Sequence, residues 1–190
     1  MLVKHTYPWP HYTVDNFLPK ETFDLLVELR DHPSFNFVDC NENGRVIVKP
    51  TKNLPSKKNL LISLSNPEIS KTIEQSVKDH LQGILPDKYC CIPDLIRCDP
   101  NYYYHPHVDH KDKLFSVVIF LYPPKSDATI LMDKGVDYKV EWKPNRALII
   151  KNEPHTMHYY HNKTIYPRLT MNVYITSKPG GFNVALNPRV

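Results

Sequence analysis

The pattern of apolar positions divides the chain into two parts with different periods. In "PKETFDLLVELRDHP", residues 19–33, Phe23, Leu26, Val27 and Arg30 recur at helical spacing, with Pro19 just before the pattern and Pro33 stopping it. In "NPEISKTIEQSVKDHLQGIL", residues 66–85, the spacing sets Ile69, Ile73, Val77, Leu81 and Ile84 on one stripe. Asn66 is placed to cap this second helix, Pro67 suits its first turn, and Pro86 ends it. Such a stripe is a face for packing on a core rather than a functional surface.

From about residue 94 the period shortens. The runs "LIRCDPNYYY", "FSVVIFLY", "ATILMD", "YKVEW", "RALIIK" and "RLTMNVYI" follow one another, separated by clusters of Pro, Asn, Asp or Lys. No helical pattern lies between them, which argues against crossover-linked parallel strands and for an antiparallel sandwich or barrel. The expected fold is therefore α+β and mostly β: a jelly roll, or double-stranded β-helix, with the two N-terminal helices packed on one sheet. One domain is expected over 1–190. Residues 1–93 would form a helical and mixed support region, 94–176 the jelly-roll core, and 177–190 a C-terminal tail.

Composition narrows the picture only slightly. With 190 residues, 41% of them hydrophobic, the chain can bury one sizeable core. The net charge of +4 is spread along the sequence, and the densest basic stretch, "KPTKNLPSKK" at 49–58, is broken by two prolines and reads as a solvated loop. No aromatic-interleaved basic stripe accompanies it, so a nucleic-acid partner is not expected. Cys40, Cys90, Cys91 and Cys98 show no CxxC spacing, and the adjacent pair suits no ordinary disulfide framework. Reduced cysteines in a cytoplasmic compartment are expected. The start, "MLVKHTYPWPHYTVDNF", lacks the apolar run of a signal peptide, and no stretch is long and apolar enough to span a membrane.

Chemistry enters with "HPHVDH", residues 105–110, three histidines and an aspartate in six positions. That density points to a metal, and three readings compete. Taken whole, His-x-His-x-Asp-His is the motif of the metallo-β-lactamase fold, where it binds one or two zinc ions that activate water. This reading requires His105 and His110. Its surroundings are wrong, because "KDKLFSVVIFLY" is a buried strand where that fold has a helix, and no Asp follows Asp137 to complete the ligand set. A cupin would use His105 and His107 but wants a Glu a few residues later, where only Asp109 and Asp112 stand. The third reading takes His107 and Asp109 alone. Residues at i and i+2 of an extended segment project to one side and can grip one ion.

A third ligand must then come from a distant strand, and "NEPHTMHYYH" offers His155, His158 and His161. Two histidines and a carboxylate occupy one face of an octahedral Fe(II) and leave three positions open. Further on, Arg168 stands among apolar neighbours in "RLTMNVYI". An inward-facing arginine needs an anion, and its planar fork suits a carboxylate. Thr170 shares its face of the strand.

The segment from about 95 to 176 resembles the Fe(II)/2-oxoglutarate-dependent dioxygenase superfamily, especially its small prolyl-4-hydroxylase-like members. The parallels are "HVDH", the apolar strand "SVVIFLY", then "KPNRALIIKNEPHTMH" and "RLTMNVYI". The resemblance implies that His107, Asp109 and His158 hold iron. It also implies that Arg168 binds the distal carboxylate of 2-oxoglutarate with help from Thr170. The tyrosine that often bonds this co-substrate aligns with Phe120, and Tyr104, three residues before His107, would take its place. Where the family commonly has paired glycines and an acid, this chain has "KSDATIL". The implied reaction consumes O2 and 2-oxoglutarate and releases succinate and CO2 as it hydroxylates a C–H bond. An aspartate at 109 fills the position that halide takes in related halogenases, which favours hydroxylation. The short chain, with no obvious long insertion, points to a small molecule or a short peptide as substrate. The competing classes are a zinc hydrolase built on all of "HPHVDH" and a non-catalytic jelly-roll binding module.

Overall fold

The twelve strands found among the described residues are nearly all short, and they pair antiparallel into two sheets. The structure is a computed structural model that describes residues 1–28, 37–39, 45–48 and 67–177. Arg30, Pro33, Cys40, the basic stretch 49–58, Asn66 and the tail from 178 onward lie outside them. In chain order the elements are β1 (Leu2–His5), β2 (His11–Val14), α1 (Lys20–Glu28), β3 (Phe37–Asp39), β4 (Arg45–Val48) and α2 (Pro67–Leu81). There follow β5 (Cys90–Cys98), β6 (Tyr103–His107), β7 (Lys113–Tyr122), β8 (Ile130–Asp133), β9 (Val136–Lys139), β10 (Ala147–Lys151), β11 (His158–His161) and β12 (Arg168–Thr176). The major sheet has the order β1-β2-β10-β7-β12-β5-β4-β3, and the minor sheet has the order β6-β11-β8-β9. This is a jelly roll.

The central strands are buried on both faces, and their period-2 alternation sorts side chains between two cores. From β7, Phe115, Val117, Ile119 and Leu121 face the helices; from β12, Leu169, Met171, Val173 and Ile175 do the same. Ile69, Ile73, Val77 and Leu81 of α2 and Leu26 of α1 close this larger core. The four α2 side chains alone contribute roughly 1.5–3 kcal/mol each on burial. On the opposite face, Val118 and Phe120 of β7 and Leu148 and Ile150 of β10 pack on Trp9, Leu131 and Val140, between the two sheets.

Several boundaries differ from the sequence expectation, each for a local reason. Helix α2 ends at Leu81 rather than continuing to Pro86. Gly83 takes a positive φ of 87°, and the Ile84 and Leu85 amides both bond back to the Leu81 carbonyl. Ile84 still touches the core, but from this turn. The run "LIRCDPNYYY" is two strands in two sheets. Asn101, at φ 64°, donates its amide to the Asn162 carbonyl (2.6 Å), and this corner carries the chain from β5 to β6. Residues 1–93 supply β1 to β4 and the start of β5 as well as the two helices, so the support region is itself half of the major sheet. Among the described residues, Cys90, Cys91 and Cys98 form no disulfide. Among the described residues, no helix is long and apolar enough to cross a membrane.

The turn before β10 locks the N-terminal segment in place. Asn145, at φ 60°, exchanges two hydrogen bonds of 2.9 Å with the backbone of Leu18. Beside it, Arg146 donates from Nε (2.6 Å) and Nη2 (3.2 Å) to the Asp15 carboxylate, and Lys143 donates at 2.7 Å. The Arg146 hydrogen bond, helped by Lys143 and opposed by partial burial, holds the Asp15 carboxyl down at about 2. A lowered folded-state pKa contributes stability that is fully present above the unfolded value of about 3.9 and is lost as pH falls through the folded value. Asp15→Asn is therefore expected to lower the urea midpoint at pH 7, and the gap from wild type should close between about pH 4 and pH 2. A gap that stays constant down to pH 2 would show that the charge is not its source.

Candidate metal centre

Strands β6 and β11 pair antiparallel with His158 directly opposite His107. Their rings lie side by side, with centroids 4.4 Å apart. His107 Nδ1 bonds the His105 carbonyl at 2.9 Å, and His158 Nδ1 bonds the Thr156 carbonyl at 3.1 Å. A carbonyl only accepts, so each Nδ1 must carry the hydrogen. In the neutral imidazole each Nε2 is then left with its lone pair, the tautomer a metal requires.

Asp109 lies just beyond the end of β6, in the connection to β7. Asn152 Nδ2 braces that connection by donating to the carbonyls of His110 (2.7 Å) and Lys113 (3.0 Å). The Asp109 side chain is only 8% exposed, and its Oδ2 sits 3.8 Å from His158 Nε2. Oδ1 accepts from Lys113 Nζ at 2.6 Å, and Oδ2 accepts from Ser116 Oγ at 2.7 Å. Burial by itself would raise the Asp109 pKa. The Lys113 ammonium, the His158 ring and the two hydrogen bonds outweigh it and hold the carboxyl well below the usual range.

Among the described residues, His107, Asp109 and His158 form the one group of three able to share an ion, with donor atoms within 4.8 Å of one another. An ion that holds its nitrogen and oxygen ligands at about 2.0–2.2 Å can draw such donors together with small adjustments. The other histidines of the sequence reading stand apart. His105 is exposed, with its ring 4.8 Å from that of Tyr103. His110 bonds the Asp112 amide, His155 is exposed beside Glu153, and His161 packs on Tyr103. The alternation of β11 explains the choice: His158 and Tyr160 are buried on the inner face, whereas Tyr159 and His161 are less buried.

The triad opens into a cleft of about 500 Å³, including its mouth, floored by β12 and β7 and walled by Tyr104 and Tyr160. Arg168, Thr170, Asn172 and Tyr174 face it at successive i+2 positions of β12. Ser116, which holds Asp109, pairs with Tyr174. The triad's Asp109 thus lies toward the Tyr174 end of this row and Arg168 lies at the other end. The Arg168 side chain, 2% exposed, donates from Nη2 to Thr129 Oγ1 at 3.2 Å. Its guanidinium carbon lies 4.2 Å from the Tyr160 ring centre and 5.3 Å from that of Trp142. Asn172 Oδ1 is buried at the cleft with no hydrogen-bond partner, as expected where a ligand completes the site.

The structure brings His107, Asp109, His158, Arg168, Thr170 and Tyr104 to one cleft. Sequence reasoning missed Lys113, Ser116, Thr129, Tyr160 and Asn172. Asn172 and Tyr160 carried a usable signal, being two-residue steps from Thr170 and His158 on their strands. Lys113 and Ser116 carried none, since their approach to Asp109 depends on the β6–β7 turn.

No protein-family model matches the sequence, and no curated protein matches it either. Solved structures do match. A viral collagen prolyl hydroxylase from Paramecium Bursaria Chlorella virus-1, in complex with 2OG, aligns over 88% of this chain and 96% of its own, with TM-score 0.63 and 16% identity. A 2OG-Fe(II) oxygenase family oxidoreductase from Burkholderia pseudomallei aligns over 88% and 85%, with TM-score 0.58 and 14% identity. A prolyl hydroxylase from Trichoplax adhaerens, in complex with a hypoxia inducible factor peptide fragment, aligns over 87% and 82%, with TM-score 0.57 and 13% identity. At these identities the likeness establishes architecture: the chain has the double-stranded β-helix fold of the 2OG-Fe(II) oxygenases.

The triad geometry makes a discriminating prediction. His105→Ala and His110→Ala are expected to leave the affinity for Mn(II) unchanged, whereas His158→Ala should weaken it by about 100-fold or more, measured by calorimetry on metal-stripped protein. A loss in either of the first two variants would return the motif to a dinuclear zinc site.

Proposed function

We propose that the protein is a non-haem Fe(II)- and 2-oxoglutarate-dependent dioxygenase that hydroxylates a C–H bond of an amino acid, a peptidyl residue or a small metabolite. The carrying observation is the convergence of His107, Asp109 and His158 donor atoms at one end of a cleft whose other end is the buried guanidinium of Arg168. Iron bound there would supply the activation of O2, which is coupled to conversion of 2-oxoglutarate into succinate and CO2.

The chain's own part is to bind, orient and shield. The two Nδ1–carbonyl hydrogen bonds keep both Nε2 lone pairs aimed inward, and Asp109 adds one negative charge. Three protein donors on one face leave the opposite face for a chelating 2-oxo acid and for O2. Arg168 would hold the far carboxylate of the diacid through its planar fork, with the Thr170 hydroxyl beside it. Tyr160, Trp142 and Phe120 surround that guanidinium and exclude water, which strengthens its grip. Tyr104, with its ring 4.3 Å from that of His107, lies between the triad and Tyr160 and contributes to the co-substrate wall. The fold likeness to a prolyl hydroxylase in complex with a peptide fragment supports a peptidyl or short-peptide substrate.

Anaerobic addition of Fe(II) and 2-oxoglutarate to metal-free protein is expected to give the visible charge-transfer band of a chelated 2-oxo acid. His158→Ala should abolish it. Arg168→Ala should keep metal binding but weaken 2-oxoglutarate by about 100-fold, as expected for loss of a buried charge-assisted pair. Folded wild-type protein that gives no band and binds two equivalents of zinc instead would overturn the proposal.

A further inference from the structure

A carboxylate ligand can hold an ion through one oxygen or through both. For Asp109 the surroundings distinguish its two oxygens. Oδ2 is the one that looks into the triad, 3.8 Å from His158 Nε2, with the Ser116 hydroxyl at 2.7 Å. Oδ1 is occupied by Lys113 Nζ at 2.6 Å. That ammonium is not a mobile surface charge. Its side chain is 8% exposed, and Nζ lies 3.9 Å from the centre of the Tyr174 ring. Lys113 is also the first residue of β7. Its amide bonds the His110 carbonyl at 2.9 Å, and its carbonyl accepts from Asn152. Both ends of the Lys113–Asp109 bridge are therefore fixed.

We propose that Lys113 is a positioning residue that restricts Asp109 to one-oxygen ligation of the metal, keeping a coordination position open; this rests on the metal centre proposed above. A second cation at Oδ1 would sit beside the Lys113 ammonium on the same oxygen, and in a site shielded from water the repulsion between the two charges is little screened. Oδ2 carries no such obstacle, because a neutral hydroxyl on one lone pair leaves the other available. The consequence concerns coordination number. Two histidines and a one-oxygen aspartate leave three positions on an octahedral ion, enough for a chelating 2-oxo acid and O2. A two-oxygen aspartate leaves only two, and the chelating acid would fill both.

The test uses Mn(II) alone on metal-stripped full-length protein, so it does not depend on turnover. In the infrared difference spectrum of metal-loaded minus metal-free wild type, with aspartate carboxyls carbon-13 labelled, the expected splitting between the two carboxylate stretches is the wide one of one-oxygen ligation. Lys113→Met should narrow that splitting and bind Mn(II) about tenfold tighter, because its buried carboxylate has lost its resident cation. A narrow splitting in wild type would overturn the proposal even if Lys113→Met failed to fold. So would a Lys113→Met variant with unchanged bands and affinity, or one that bound Mn(II) more weakly. Wild type that binds no Mn(II) at all would overturn the metal centre with it, whereas normal metal binding with an indifferent Lys113→Met defeats only the role of Lys113.

Discussion

The alternation along β12 is the constraint on which the rest of the structure depends. One set of its residues, Leu169, Met171, Val173 and Ile175, is driven into the helix-facing core. The other set, Arg168, Thr170, Asn172 and Tyr174, must then face the cleft. A register slip by one residue would bury the polar set under the helices and turn the apolar set into the site. The energetic asymmetry is large. Four apolar side chains contribute roughly 1.5–3 kcal/mol each when buried. Burying a charged or polar group without partners costs several kcal/mol, so exchanging the two sets would change the sign of both contributions.

The same division explains how the molecule tolerates buried charge. Arg168 and the Asp109–Lys113 pair lie in the cleft between the sheets, where burying charge costs stability. The apolar burial of the helix-facing core offsets that loss. Within the cleft, each ionic group is held by another element: Thr129 on Arg168, Ser116 on Asp109, and Asn152 across the β6–β7 turn. Preorganisation of this kind gives the three donors a common focus.

The helices and the central strands were readable because they bury many apolar residues at a single period. The α2 stripe and the runs of β7 and β12 are examples. Strands β1 and β11 were not. In β1, a burial pattern of half-buried, exposed, exposed and half-buried shows no alternation, and β11 is His-Tyr-Tyr-His with no aliphatic residue. Such segments are strands because a neighbour offers hydrogen bonds, which is a property of the assembled sheet. The site shows the same split. The local spacing of His107 and Asp109 sufficed to pair them, while choosing His158 over His155 and His161 needed a likeness to known dioxygenases.

By itself, the sequence determined the jelly-roll class, the two helices and their packing faces, and a small set of metal-ligand candidates. Each of these rests on local period or local spacing, which the chain carries whatever its surroundings. Only the tertiary structure decided that β5 and β6 part into different sheets, that His158 lies opposite His107, and that Lys113 and Ser116 share the two oxygens of Asp109 between them. Those facts depend on strand register and on the path of one turn. They are settled when distant segments compete for the same hydrogen bonds and the same buried space, and no short window of residues contains that competition.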